Sequence, residues 1–186
     1  FTFKIATKEL LADVLTPVAI YLKIRDAFPT SILLEGADFK AGDNQYSFIA
    51  MQPGAAFKAT GNHLALTYPD GSQENIDCKT PGEMTNLLSQ FVLCFKSDIL
   101  NSNIPATGLF GYSAYEAVTY FEEIKLKDQV GDRKIPEMFF QFFKYIIAVN
   151  HTTNRIMLIE HLFDNEVDNL LYIEEQLISR TFALHK

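Results

Sequence analysis

The sequence predicts an α+β fold: a largely antiparallel sheet with hairpins and packed helices. Two observations carry that prediction. Short β-prone runs are punctuated by turn signals such as Gly61-Asn62 and Pro69-Asp70-Gly71, and helical patterns interrupt them without regular strand–helix alternation. Two long apolar runs, 138–149 and 156–162, are joined through His151-Thr152-Thr153-Asn154, as a strand hairpin would be.

In order along the chain, 2–11 reads as a strand. Thr16-Pro17 then supplies an N-cap and a proline for the first helical position, and Ile20, Ile24, Ala27 and Phe28 form one apolar helical stripe that Pro29 ends. Residues 31–35 are a short β-prone run, Gly42-Asp43-Asn44 a turn and 46–51 a strand. Residues 57–60 and 64–68 flank the Gly61-Asn62 turn, where glycine accepts positive φ. Thr80 and Glu83 have capping-box spacing around Pro81, and Met84, Leu87, Leu88, Phe91 and Phe95 repeat at helical intervals behind them. Residues 97–107 are polar and loop-like, a candidate boundary. A short apolar run follows at 108–111, a helix is predicted over 113–121, and 125–136 is charged and irregular. The run 138–149 is apolar on both faces, as a central buried strand should be. A last helix is predicted to start near Asn165 and to bury Val167, Leu170, Leu171, Leu177 and Ile178.

Length and composition narrow the function classes. The chain has 186 residues, 48% apolar and 21% charged, which suits a globular domain with a real core. Sixteen Phe and eight Tyr against no Trp point to a thick core or to a surface meant to be covered. The net charge of −7 and the lack of a Lys/Arg cluster argue against nucleic acid and anionic membranes as partners. No apolar run is long enough to span a bilayer, and Phe1-Thr2-Phe3-Lys4 does not open a signal peptide, so a cytoplasmic location is expected. That opening also lacks an initiator Met, as expected of a trimmed start or of incomplete numbering. Cys78 and Cys94 lack CxxC spacing and read as reduced thiols. His63, His151, His161 and His185 are scattered, with no pair at helical metal-ligand spacing.

No catalytic constellation is visible: GxSxG, HExxH, a phosphate-binding P-loop and GxGxxG are all absent. Gly108-Leu109-Phe110-Gly111 reads as two glycines that let a strand pass close to its neighbours. Tyr112 and Tyr115, placed on one face of the predicted short helix, read as core residues with satisfied hydroxyls. Ser31-Ile32-Leu33-Leu34-Glu35-Gly36 puts a carboxylate at the end of an apolar strand, before a residue free in φ. Such a corner suits the ammonium of an amino acid. Taken alone, the segment is described more simply as a solvated strand end and a turn.

Taken in order, Thr16-Pro17-Val18, Leu33-Leu34-Glu35-Gly36, Tyr46-Ser47-Phe48-Ile49 with Pro53, Gly108-Leu109-Phe110-Gly111-Tyr112, Tyr115-Glu116-Ala117-Val118, Tyr120-Phe121-Glu122 and Pro136 before the strand hairpin resemble the amino-terminal domain of anthranilate synthase component I. The resemblance covers nearly the whole chain. It implies that residues 1–186 are a regulatory and scaffold domain, an incomplete part of a larger β/α sandwich. The chorismate-binding catalytic domain is expected after Lys186, with magnesium and the catalytic residues, so that this chain carries no cofactor and no catalysis of its own. The implied partners are that domain, a glutamine amidotransferase subunit that supplies ammonia, and L-tryptophan as feedback effector. By position, Leu34, Glu35, Gly36, Tyr46 and Ser47 would form this chain's share of the effector site, with Glu35 on the ammonium. Gly36 stands where the family usually has Ser, Gln45 where Arg is common and Ala50 where Gly is common. The hydroxyl lost at Gly36 is worth ~0.5–1.5 kcal/mol, a weakening of up to about tenfold.

Three other readings remain open on the sequence. They are the equivalent domain of aminodeoxychorismate synthase component I, a free-standing amino-acid-binding module, and an interaction scaffold without a ligand.

Overall fold

A computed structural model of the chain describes residues 1–12, 15–35, 45–97, 107–122, 124, 135–164 and 166–178. Nine strands, three α-helices and one 3₁₀ helix appear among them, in an open sheet whose specified registers are all antiparallel. The strands are β1 (Thr2–Leu11), β2 (Ile32–Glu35), β3 (Tyr46–Thr60), β4 (His63–Thr67), β5 (Gln73–Asp77), β6 (Lys96–Ser97), β7 (Phe110–Ser113), β8 (Met138–Asn150) and β9 (Arg155–Phe163). The helices are α1 (Pro17–Ile24), α2 (Pro81–Leu93) and α3 (Leu170–Ile178), and the 3₁₀ helix is Tyr115–Tyr120. The predicted α+β class and antiparallel sheet are what is found. The chain divides into two compact units, Phe1 with Gly54–Lys96 and Gly108–Phe142, and Thr2–Pro53 with Ser97–Thr107 and Phe143–Lys186.

In the first unit the part of β3 from Gly54 onward forms a meander with β4 and β5. Its Gly61-Asn62 turn uses a glycine φ of 56°, as the sequence required, and Thr60 pairs with His63 across it. One face of the meander buries Phe57, Ala59, Leu64 and Leu66. Against it lies an aromatic cluster in which Phe91 of α2 meets Phe57 and Tyr68, and Phe95 stacks on Phe142 at 4.6 Å. The capping-box expectation is corrected. Thr80 is the N-cap residue but makes no side-chain cap bond, and Glu83 Oε2 instead accepts the Lys79 N–H at 2.7 Å.

The predicted helix over 113–121 is also corrected. Tyr112 lies on β7 and only 115–120 coil, as a 3₁₀ helix. Tyr112 and Tyr115 are exposed, at 40% and 78%, so they are not core residues. Tyr120 is the buried one: its hydroxyl donates to the Gly61 carbonyl at 2.7 Å, and burial followed by the Glu137 charge pushes its pKa up. Gly111, opposite Phe140 on β8, allows the close approach that the sequence suggested. A Cβ there would sit 1.9 Å from the Phe139 carbonyl oxygen, whereas one at Gly108 would meet nothing within 4 Å.

In the second unit β8 and β9 pair through 145–150, and β9 pairs with β1 along its length. Every residue of β8 from Tyr145 to Asn150 is buried, which is why the run is apolar on both faces. Ile147 and Val149 share a core with Ile49 and Met51 of β3, Ile20 and Ile24 of α1, and Leu170, Ile173 and Leu177 of α3. Each such side chain contributes about 1.5–3 kcal/mol on full burial. Thr16 caps α1 as predicted, its Oγ1 accepting the Ala19 N–H at 3.1 Å.

The stripe predicted for the last helix is corrected to Leu170, Ile173 and Leu177. Val167, Leu171 and Ile178 are exposed at 85%, 64% and 69%, because spacings of three and four residues from Leu170 put the buried face elsewhere. Ala27, expected on the α1 stripe, is exposed beyond the helix end at Ile24. The strands expected at 46–51 and 57–60 are one strand, β3, which runs on through Gln52 with φ 56° and through Pro53. The turn expected at 42–44, residues 98–106 of the expected boundary, residues 125–134 of the irregular stretch and Asn165 lie outside the described residues.

Candidate functional site

The candidate residues sit where β2 meets β3. Ile32, Leu33 and Leu34 form a short β-prone run that pairs with 48–50, which sets Glu35 directly opposite Ser47 and Leu34 opposite Phe48. Residues directly opposite in an antiparallel pair point to the same face, and neighbours along a strand alternate. Glu35 and Ser47 therefore share one face, the side on which Ile49 joins the core. Leu34 and Tyr46 belong to the other face, where the Tyr46 ring stacks on Phe48 at 5.8 Å and 18°. Of the five residues singled out from the sequence, two are thus brought together, two lie on the reverse of the same strands, and Gly36 is outside the described residues. Glu35 is exposed at the strand end, while Ser47 is only 1% exposed.

Ser47 has a partner that sequence reasoning missed. Its Oγ lies 2.8 Å from Nε2 of His151, in the turn between β8 and β9, and the His151 N–H donates to the Gln45 carbonyl at 2.9 Å. The turn is held in place. Asn150 Oδ1 accepts the N–H groups of Thr152 and Thr153 at 2.9 and 3.0 Å, Asn154 takes φ 51°, and its carbonyl accepts the Ala12 N–H at 2.9 Å. No local signal marks His151, because the contact spans 104 residues. A serine next to an imidazole is also the start of a hydrolytic triad. Here the hydroxyl is buried, and among the described residues no carboxylate bonds the other ring nitrogen. The arrangement is that of a positioned hydroxyl, not an exposed nucleophile.

A cavity of about 300 Å³ adjoins His151 and is lined by Leu15, Thr16, Pro17, Val149 and Asn154 among others. In the first unit a shallow hollow of about 310 Å³ lies over Lys58, Thr60, His63, Ala65, Asn75 and Asp77 on the exposed face of the meander, where His63 bonds Asp77. Among the described residues no group of three or more His, Cys, Asp or Glu side chains is placed to hold a metal ion, and no helix is long and apolar enough to cross a membrane. Cys78 and Cys94 are free thiols, and burial pushes the Cys78 thiol up.

No family model matches the chain. Among curated proteins, anthranilate synthase component 1 of Methanothermobacter thermautotrophicus is 28% identical over 137 residues, 74% of this chain and 27% of that protein. The Pseudomonas putida protein of the same name is 32% identical over 120 residues, 62% of this chain and 23% of that protein. That of Neisseria meningitidis is 27% identical over 175 residues, 91% of this chain and 35% of that protein. The chain is related to part of anthranilate synthase component 1. It spans between 23% and 35% of the length of these relatives. A crystal structure of anthranilate synthase component I from Streptococcus pneumoniae overlaps 90% of this chain and 34% of that one, with a TM-score of 0.47 and 20% identity.

Proposed function

We propose that this chain is the non-catalytic amino-terminal domain of an anthranilate synthase component 1, packing on a catalytic domain and supplying one wall of a feedback site for L-tryptophan. The observation that supports this reading most is coverage. Up to 91% of the chain aligns with proteins of that name, yet it spans no more than 35% of them. The parent reaction is the conversion of chorismate and glutamine-derived ammonia to anthranilate, with a glutamine amidotransferase subunit as partner and the cytoplasm as its location. Its magnesium belongs to the remainder of the protein.

In this reading the exposed Glu35 carboxylate, paired in register with Ser47, receives the effector's ammonium, while Leu34 and Tyr46, on the reverse face of the same strands, take no part in this wall. The test follows anthranilate fluorescence with chorismate, magnesium and ammonium salt. The full-length protein that carries this chain is expected to turn over and the 186-residue chain to give only the blank rate. A full-length protein that makes no anthranilate, or turnover that copurifies with the chain alone, would overturn the reading.

A further inference from the structure

Two surfaces of the first unit differ in chemistry. The outer side of the meander exposes Lys58, His63, Asn75 and Asp77, polar groups that water satisfies. The residues between β7 and β8 are of another kind. Tyr115, Phe121 and Ile135 are each more than half exposed, and Tyr112 at the end of β7 is exposed as well. The backbone draws them together. The Ala114 N–H donates to the Glu137 carbonyl at 2.7 Å, which places the chain at Tyr115 close to the chain at Ile135. The Tyr120 hydroxyl lies 3.4 Å from the Glu137 carboxylate, which brings the chain at Phe121 to the same place. Tyr112 pairs in register with Phe139, ring against ring at 6.3 Å, on the face of β7 and β8 opposite the buried Met138. Large apolar side chains gathered at one exposed place mark an interaction site, and aromatic residues are enriched at the centres of interfaces.

We propose that Tyr112, Tyr115, Phe121 and Ile135 form the surface on which the remainder of the full-length protein docks, through a facing surface that is apolar at its centre and basic opposite the exposed Glu122 carboxylate. The inference rests on the reading of this chain as one domain of a longer protein and assigns the docking surface which that reading leaves open. The occupant follows from size and tethering. The chain spans between 23% and 35% of the length of its relatives, so in that reading most of the protein lies outside it. A tethered surface meets its target at an effective concentration on the order of millimolar, above that of a second copy or a free partner.

The test has two parts, both on the full-length protein. In hydroxyl-radical footprinting, Tyr115 and Phe121 are expected to react as slowly as the buried Phe57 and Phe91, although both are exposed in this chain. Reaction as fast as in urea would overturn the proposal. Photo-cross-linking with p-benzoylphenylalanine in place of Tyr115 or of Phe121 then names the occupant. Links within one molecule to residues outside 1–186 are expected. Links confined to residues 1–186, a product the size of two chains, or no link from either position would overturn the proposal. So would equal linking from the same label in place of His63, on the polar side of the meander. An anthranilate assay on the unlabelled protein separates the two levels. A protein that makes anthranilate but leaves Tyr115 and Phe121 reactive brings down this inference alone, and one that makes none brings down the reading beneath it, and this inference with it.

Discussion

The carboxylate of Glu160, fully buried on β9, accepts the backbone N–H of Asn169 at 2.6 Å, immediately before α3 begins at Leu170. That N–H is one of the donors a helix start leaves unpaired, and the helix dipole favours an anion there. The second carboxylate oxygen lies 3.8 Å from Lys144 Nζ, within ion-pair range but beyond a hydrogen bond. Burial, and then the Glu160 charge, push the neighbouring Tyr145 hydroxyl up to about 12. Glu160→Ala removes the acceptor at the start of α3, as loss of a helix cap would, and is expected to cost about 0.5–2 kcal/mol. Glu160→Gln keeps an acceptor oxygen and should cost less. Urea unfolding of both variants checks the order, and an unchanged midpoint for Glu160→Ala would contradict it.

Gly111 and Gly108 form a paired prediction. A methyl at Gly111 collides with backbone at 1.9 Å, not with the flexible end of a side chain, so β7 and β8 must separate to admit it. Gly111→Ala is therefore expected to destabilise by about 1–3 kcal/mol or more. Gly108→Ala, in open space, should stay within about 0.5 kcal/mol of wild type. Thermal unfolding of the two variants side by side is the measurement, and equal melting temperatures would refute it.

His161 gives the fold a pH dependence. Its Nδ1 lies 2.7 Å from the Phe143 carbonyl, which can only accept, so Nδ1 carries the proton of a neutral ring. Burial lowers its pKa from the ordinary 6.5, and the Phe143 bond opposes this only in part. A depressed histidine pKa means that the unfolded chain binds the proton first. The contribution of the neutral ring is then fully present above pH 6.5 and is lost as pH falls through the lowered folded value. Stability should fall on acidification from pH 6.5 down to that lowered value and level off below it, and His161→Phe should flatten this part of the profile. An identical slope in urea midpoints for wild type and variant would count against the assignment.

What the sequence disclosed was local. Thr16 as a cap, Gly61 in its turn and the two-faced burial of β8 each depend on a few neighbouring residues, and each is where the pattern put it. The misses depend on distant partners. Gln52 takes a left-handed φ that lets β3 continue, and nothing in its identity announces this. The exposure of Tyr112 and the burial of Tyr120 are decided by which strand and turn lie opposite, not by tyrosine spacing. At the candidate site, Glu35 and Ser47 could be named from motifs. Their shared face needed the register of β2 on β3, and His151 needed a contact across 104 residues.

In the proposed reading Glu35 and Ser47 belong to one wall of an amino-acid effector pocket that the rest of the full-length protein completes. Isothermal titration with L-tryptophan, with D-tryptophan as control, tests it most directly on three samples: the full-length protein, its Glu35→Gln variant and the 186-residue chain. A pocket normally buries 70–90% or more of a small ligand, and a solvated carboxylate attracts an ammonium by only about 1 kcal/mol at contact. The account predicts stereoselective binding by the full-length protein, a loss of about tenfold or more in Glu35→Gln as a charge-assisted bond disappears, and a dissociation constant of order millimolar or weaker for the chain by itself. Stereoselective micromolar binding by the 186-residue chain, or a Glu35→Gln variant that binds as wild type does, would contradict it.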